Sequence, residues 1–435
     1  MLTVLFSLAT FVGASAHGQG RPPTETPSPV PAQALNISAR LRVETGDGVM
    51  IGGFIITGTE SKKVALRGIG PSLGSSGLND LLADPTLELH GSSGVLLMQN
   101  DNWQDDPAQA AELTAVGLAL QDPKESGIVA TLSPGNYTVI MAGKNQTSGI
   151  GLVEIYDADA ATASQLANIS TRGFVQTGDK VMIGGFILGQ GSASSTVAVR
   201  GIGPSLSPFG LSNMLADPTL ELRDSNGTLL VANDNWQDDP STAAPLAAHG
   251  LAPQDSLESG ILTTLPPGAF TAILAGKNGG IGLGLVEVYS SFQGITFTAT
   301  STADSGAGSL RDMVGAAIDG DTIQFAAALS GQAIVLTSSE ITIDKSITIS
   351  GPGPGQLTVQ RTDAIGTPFY RIFQVRPDRT VTIEGLTISS GYAESGGGIL
   401  TDHATLTINN CSLENNIATE QGGGISNDGG SSTVN

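Results

Sequence analysis

The chain reads as an all-β protein: two tandem antiparallel β-sandwich domains, jelly-roll-like, followed by the rungs of a parallel β-helix. Three observations predict this. The first is duplication. Asn100-Asp101-Asn102-Trp103-Gln104-Asp105-Asp106-Pro107 returns letter for letter as Asn233 to Pro240, 133 residues later. Arg67 to Leu73 returns as Arg200 to Leu206, Leu82 to Leu89 as Leu215 to Leu222, and Ala142 to Asn145 as Ala275 to Asn278. A period this long marks a copied domain, not a solenoid rung. The second is texture: 58 glycines, 4% aromatic and 14% charged residues describe a turn-rich β chain. The third is a short period near the C-terminus. Gly396-Gly397-Gly398-Ile399 recurs as Gly422 to Ile425, 26 residues on, and Val381-Thr382-Ile383 aligns with Leu406-Thr407-Ile408 at 25. Stacked coils of such a period share one apolar core, with asparagine ladders at their turns.

The elements follow in order. Leu2 to Gly13 is an apolar run ending in Ala14-Ser15-Ala16, a secretory signal with cleavage expected before His17. It departs from the usual pattern in having no Lys or Arg before Arg21. The run is too short for a membrane anchor, and no later segment approaches that length. Residues 17–34 form a linker whose prolines (Pro22, Pro23, Pro27, Pro29, Pro31) favour an extended spacer. The first repeat spans 35–159 and the second 166–292, with 160–165 between them.

In the first repeat, β-type runs separated by turn signals predict strands near 36–43, 49–57, 63–69, 86–90, 95–99, 127–132, 137–142 and 151–156. Gly91-Ser92-Ser93-Gly94 and Ser133-Pro134-Gly135-Asn136 read as hairpin turns, and Ala108–Val116, rich in Ala, Glu and Leu, as a helix. Leu220 to Leu230, Asn233-Asp234-Asn235 and Leu265 to Ile273 together resemble the bacterial pre-peptidase C-terminal β-sandwich. Phe270 stands where that family has Tyr. The whole repeat also resembles modules of large secreted bacterial proteins.

From Ile295 the texture changes. Thr300 to Asp312, the amphipathic stretch to Ile318, Gly320 to Phe325 and Ile341 to Gly353 resemble the start of right-handed parallel β-helices of bacterial surface proteins. In those proteins a helix caps the open end. Gly-Gly-Gly-Ile with Leu413-Glu414-Asn415-Asn416 resembles the polymorphic outer-membrane protein repeat, whose members are adhesins or surface proteins. These resemblances imply that 295–435 is the N-terminal cap and first rungs of a right-handed helix. Because Asn435 falls in mid-rung, the helix is expected to be truncated.

The acidic loops are the foremost ligand candidates. Asp101, Asn102, Asp105 and Asp106, with Asp234, Asn235, Asp238 and Asp239, place several hard oxygen donors in each loop, as calcium requires. The competing reading is a tight turn closed by Asx hydrogen bonds, with Trp103 and Trp236 packed as lids. No other cofactor is indicated. Arg67 with Glu125, and Arg200 with Glu258, are expected to form one internal ion pair per repeat that fixes strand register; the alternative is that they grip a carbohydrate or peptide carboxylate. Gly70-Pro71-Ser72-Leu73-Gly74 matches a nucleophile elbow, but Ser207 replaces the final glycine in the second copy. His17, His90, His249 and His403 are isolated, and Cys411 is expected to be a small buried side chain. Asp363, Asp378, Glu384, Glu394 and Asp402 are scattered singly, unlike a lyase groove.

A net charge of −21 argues against nucleic acid and anionic membrane as partners. The chain is expected to be secreted or at the cell surface and non-catalytic, an adhesin or a binder of extracellular polysaccharide or protein, with the repeats as spacers or bivalent modules. The alternatives are a β-helix polysaccharide lyase or glycoside hydrolase, and a passive surface-layer stalk.

Overall fold

The computed structural model describes residues 32–159, 161–189, 191, 193–290 and 294–435. The expected signal peptide and most of the expected proline-rich linker lie outside the described residues. The chain divides into two compact units. One holds residues up to Ala243 and from Leu251 to the end of the second repeat; the other holds Ala244–Gly250 and the C-terminal part.

In the first unit, repeat one supplies β1 (Gln33–Val43), β2 (Met50–Thr57), β3 (Lys62–Ile69), β4 (Pro85–His90), β5 (Leu96–Asn100), helix α1 (Pro107–Ala115), β6 (Ser126–Leu132), β7 (Gly135–Gly143) and β8 (Gly149–Asp157). Repeat two supplies β9 (Gln165–Val175), β10 (Met182–Gly189), β11 (Ser195–Ile202), β12 (Pro218–Asp224), β13 (Leu229–Asn233), β14 (Ser259–Leu265), β15 (Gly268–Gly276) and β16 (Gly282–Tyr289), with helix α2 (Pro240–Ala248) divided between the two units at Ala244. Every strand and the helix expected in the first copy are present, with ends moved by at most three residues.

All sixteen strands belong to one antiparallel sheet. It consists of two runs of eight, β6-β3-β8-β1-β10-β15-β12-β13 and β14-β11-β16-β9-β2-β7-β4-β5. The runs touch through the single pair Ala34 and Leu166. Each run takes four strands from each repeat, so the two copies are joined edge to edge twice, β1 on β10 and β9 on β2. The junctions are equivalent: Ser38 faces Gly185 in one, and Ser170 faces Gly53 in the other. A Cβ on Gly53 would stand 2.5 Å from Ser170 Oγ, so glycine is what lets these strands approach. One apolar core draws on both repeats, including Leu41, Phe54, Leu87, Val139, Phe186, Leu222 and Leu274. The repeats are therefore not beads on a string, because strand pairing and core both continue across the join.

The second unit is a parallel β-solenoid of about five turns. Its walls are sheets of six, four and four strands, with a two-stranded sheet added at one corner. Successive turns stack in register: Ile323, Ile349, Ile383 and Ile408 form one inward column, all essentially buried. The 25- and 26-residue spacings are the turns themselves, since Val381 pairs with Leu406 and Ile399 with Ile425. Asn435 Nδ2 donates to Asn409 Oδ1 at 2.9 Å, an asparagine step between turns. The triple glycines permit close stacking: a Cβ on Gly397 would meet the Ile417 carbonyl at 2.3 Å. Helix α3 (Leu310–Ala316) is N-capped by Ser309, which accepts from Asp312 N at 3.2 Å. It buries Leu310 and Val314 in the solenoid core.

Candidate functional site

The duplicated letters converge on one loop system per repeat. Glu125 is fully buried just ahead of β6. Its carboxylate accepts from Gly70 N at 3.2 Å, Ser72 N at 2.9 Å, Ser72 Oγ at 2.9 Å and Asp122 N at 3.4 Å. Glu258 repeats this with Gly203 N (3.0 Å), Ser205 N (2.9 Å), Ser205 Oγ (2.7 Å) and Asp255 N (3.2 Å). A buried carboxylate that gathers three N–H groups and a hydroxyl replaces its lost hydration and pins the Arg-Gly-Ile-Gly-Pro-Ser turn. Ser72, the apparent elbow serine, is a donor in this cage.

The expected pairing of Arg67 with Glu125, and of Arg200 with Glu258, is corrected. Arg67 pairs with Glu154 at 3.2 Å and Arg200 with Glu287 at 2.5 Å. Each pair lies directly across strands, β3 to β8 and β11 to β16. Tyr156 and Tyr289 donate to the same glutamates at 3.1 and 3.2 Å. Burial pushes the Glu154 carboxyl up, and Arg67 opposes it. Burial, then the Glu287 charge, lifts the Tyr289 phenol to about 12. Glu154 and Glu287 were detectable in the sequence, because Val153-Glu154-Ile155-Tyr156 recurs as Val286-Glu287-Val288-Tyr289 at the same period of 133.

The acidic loops distribute their oxygens among separate partners. Asp101 pairs with Lys144 at 2.5 Å, and Asp234 with Lys277 at 2.6 Å. These hydrogen bonds raise the lysine pKa values. Asn102 Nδ2 donates to Asp105 at 2.9 Å, and Asn235 Nδ2 to Asp238 at 3.1 Å. Asp106 caps α1, accepting from Ala108 N at 2.9 Å and Gln109 N at 3.4 Å. Asp239 accepts from Ser241 N at 2.9 Å and Ser241 Oγ at 2.7 Å. Among the described residues, no group of three His, Cys, Asp or Glu side chains is placed to hold a metal ion. Lys144 and Lys277, part of the repeated Ala-Gly-Lys-Asn, are the partners that sequence reasoning missed.

Trp103 is buried in a satellite core under α1 with Leu113, Leu120 and Val129, and its backbone N donates to Glu125 O at 2.8 Å. Trp236 is part-exposed, and its indole donates to Asp255 O at 3.2 Å. His90 meets Glu88 at 2.9 Å and His403 meets Asp402 at 2.7 Å. Cys411 packs partly buried against the solenoid core, and burial raises its thiol pKa. A shallow cavity of about 320 Å³ in the first unit is lined by Glu44, Asp47, Phe174, Asn213 and Leu283 among others. No helix among the described residues is long and apolar enough to cross a membrane.

No protein-family model matches the chain, and no curated protein matches it. Similar solved structures include the catalytic domain of a GH87 alpha-1,3-glucanase variant in complex with tetrasaccharides. It is 13% identical over 56% of this chain and 49% of that chain, with a TM-score of 0.18. The Agl-KA catalytic domain is 11% identical over 60% of each chain, TM-score 0.18. A DUF4785 family protein from Legionella pneumophila subsp. pneumophila str. Philadelphia 1 is 12% identical over 62% of this chain and 69% of that chain, TM-score 0.18. The chain spans about half of the first and three fifths of the second. Similarity at this level carries no argument about function.

Proposed function

We propose that the protein is a non-catalytic secreted or cell-surface binder, in which the duplicated unit is a rigid spacer and the solenoid presents a surface to extracellular polysaccharide or protein. The observation that carries this reading is the fate of the duplicated polar residues. Glu125 and Ser72, with their second-copy counterparts, make their hydrogen bonds in a part-buried cage, and Asn102 and Asp106, with theirs, make them at the surface to their own turn and a helix start. Duplication has preserved the parts that shape the module. Within that reading, 35–159 and 166–292 are the two sandwich domains, and 295–435 is a right-handed β-helix. Calcium at the acidic loops belongs to the same reading; a cation there takes the place of the Lys144 and Lys277 ammonium groups, and calorimetric titration with calcium tests it.

Co-sedimentation of the chain with a panel of insoluble and cross-linked polysaccharides, run beside a reducing-end assay, tests the function. Saturable retention without new reducing ends is expected. Chain cleavage of any polymer would overturn the non-catalytic reading in favour of a hydrolase or lyase. Neither retention nor cleavage would leave a passive stalk.

A further inference from the structure

The second copy departs from the first where helix α2 ends. Val116 follows α1, and His249 takes the equivalent place after α2, 133 residues on. In the first copy the helix buries Leu113 in the satellite core with Trp103 and Val129. In the second copy residues Ala244–Gly250 belong with the solenoid, in the second unit. His249 is almost wholly buried there, with 5% of its side chain exposed, and it meets the fully buried carboxylate of Asp321 at 3.2 Å. The two residues lie in the same unit. The His249 ring also stands edge-on to Phe297, centroids 6.2 Å apart, and Phe297 packs against the solenoid core.

Asp321 is a junction of the first solenoid turns. Its carboxylate accepts from Ile295 N at 2.8 Å and from Ile318 N at 2.7 Å, and its backbone oxygen accepts from Thr348 N at 3.0 Å. Two amides are fewer donors than the four that serve Glu125, and the imidazole supplies what is missing. His249 Nδ1 lies 2.9 Å from Pro245 O, while Nε2 faces Asp321. Both neighbours are acceptors. A neutral imidazole carries a single N–H, so only the imidazolium satisfies both contacts. Residues 244–250 hold no other titratable side chain. The other charged groups at this end of the solenoid are engaged elsewhere. Asp319 accepts from Ser346 N at 2.7 Å, and Lys345 donates to Val314 O at 3.2 Å and Gly315 O at 2.8 Å. Asp321 is the charge that acts on His249.

We infer that His249 and Asp321 form a proton-operated latch: the imidazolium seats residues 244–250 on the first solenoid turn, and loss of its proton frees them. The latch is a conformational device of the second unit and does not rest on the binding function proposed above. Deprotonation leaves one ring nitrogen facing an acceptor without a hydrogen, and leaves the buried Asp321 charge without a cation. Burial works against the imidazolium, but the hydrogen bonds to Asp321 and Pro245 outweigh it and raise the His249 pKa above the ordinary 6.5. A histidine raised in this way contributes stability that is fully present below its unfolded value and is lost as pH rises through the folded one. The latch is therefore closed below the ordinary histidine value and opens as pH rises beyond the raised one.

Hydrogen exchange of the full chain, read by mass spectrometry at about pH 6 and about pH 9 and corrected for the intrinsic exchange rate at each, tests this. Peptides covering 244–250 are expected to lose protection about tenfold between the two, since one unit of pKa difference between the seated and freed states is a tenfold bias. Ile349, Ile383 and Ile408 in the solenoid core are expected to keep theirs. His249→Gln retains a neutral donor toward Asp321, and a thermal melt beside wild type checks that it folds. Its 244–250 protection is expected to stay at the low level that wild type shows at high pH, whatever the pH. In the unmodified protein, the ring resonance of His249, assigned by its absence from His249→Gln, is expected to titrate above the ordinary value of about 6.5. A ring that titrates at or below that value would overturn the latch, as would equal protection of 244–250 at both pH values. Loss spread evenly over the solenoid core would overturn it in favour of global unfolding. The same pH-dependent loss in His249→Gln as in wild type would overturn the role of His249.

Discussion

Glu125 and Glu258 are fully buried, and neither has a cation partner among the described residues. Their charge is met by backbone N–H groups, so the carboxylate serves as the keystone of a turn. Glu125→Ala leaves the Gly70 and Ser72 amides inside the protein without an acceptor, and a loss of about 3 kcal/mol in chemical denaturation is expected. Glu258→Ala is expected to match it. Asp304 plays the same part in the solenoid. Burial disfavours its charge, but Ser338, Arg311 and the Thr337 amide outweigh that and hold its pKa at about 2, below the ordinary 3.8. Arg311 reaches it at 2.6 Å, Ser338 N at 2.9 Å and Thr337 N at 3.1 Å. A carboxyl with a depressed folded pKa contributes stability that is fully present above its unfolded value and lost as pH falls through the folded one. The solenoid is therefore expected to lose about 2 kcal/mol between pH 4 and pH 2 through this group. Asp304→Asn is expected to flatten that part of the stability profile, as read by denaturant melts across the range.

At the scale of elements, the Arg67–Glu154 and Arg200–Glu287 pairs fix which residues of β3 and β8, and of β11 and β16, stand opposite each other. Both members are largely buried, with side chains 17% and 14% exposed in the first copy. Arg67→Met alone strands a carboxylate in the sheet and is expected to cost about 3 kcal/mol. Arg67→Met with Glu154→Leu is expected to return within about 1 kcal/mol of wild type, because neither charge is then left unpaired. A double-mutant cycle by equilibrium unfolding reads both values. The strands themselves were legible in the sequence, since alternation and Gly- or Asn-bearing turns are local signals; β4 shows it in Pro85–His90, buried at every second residue. The partner of Arg67 was not. Glu125 and Glu154 both recur at the same period, and only sheet order, a long-range property, decides which of them faces the arginine. The acidic loops show the same limit. Their oxygens were readable from composition, whereas Lys144, which reaches Asp101 from 43 residues further along, was not.

At the scale of the molecule, duplication has produced a joint, not only a second copy. An isolated sandwich built from β6-β3-β8-β1 and β2-β7-β4-β5 would expose the edges of β1 and β2, and unpaired edges are a liability. The other repeat covers both, through β10 and β9. The apolar core runs through the joint as well: Leu41 of β1 is fully buried, and a Cβ on Gly173 of β9 would stand 2.5 Å from its Cδ1. Cooperative unfolding follows wherever pairing and packing are shared, so the two repeats are expected to unfold as one. The solenoid, with a separate core around Ile349, Ile383 and Ile408, is expected to unfold in its own transition. Leu41→Ala tests this from one side of the joint, with an expected cost of about 3 kcal/mol for the cavity it opens. Under native-state hydrogen exchange, amides of β10 and β16 in the second repeat are expected to lose protection by the same amount as those of β8 in the first, while Ile383 and Ile408 keep theirs. Loss confined to the first repeat would mean that the continuous strands transmit no stability, and the repeats would then be independent modules joined by a thin seam.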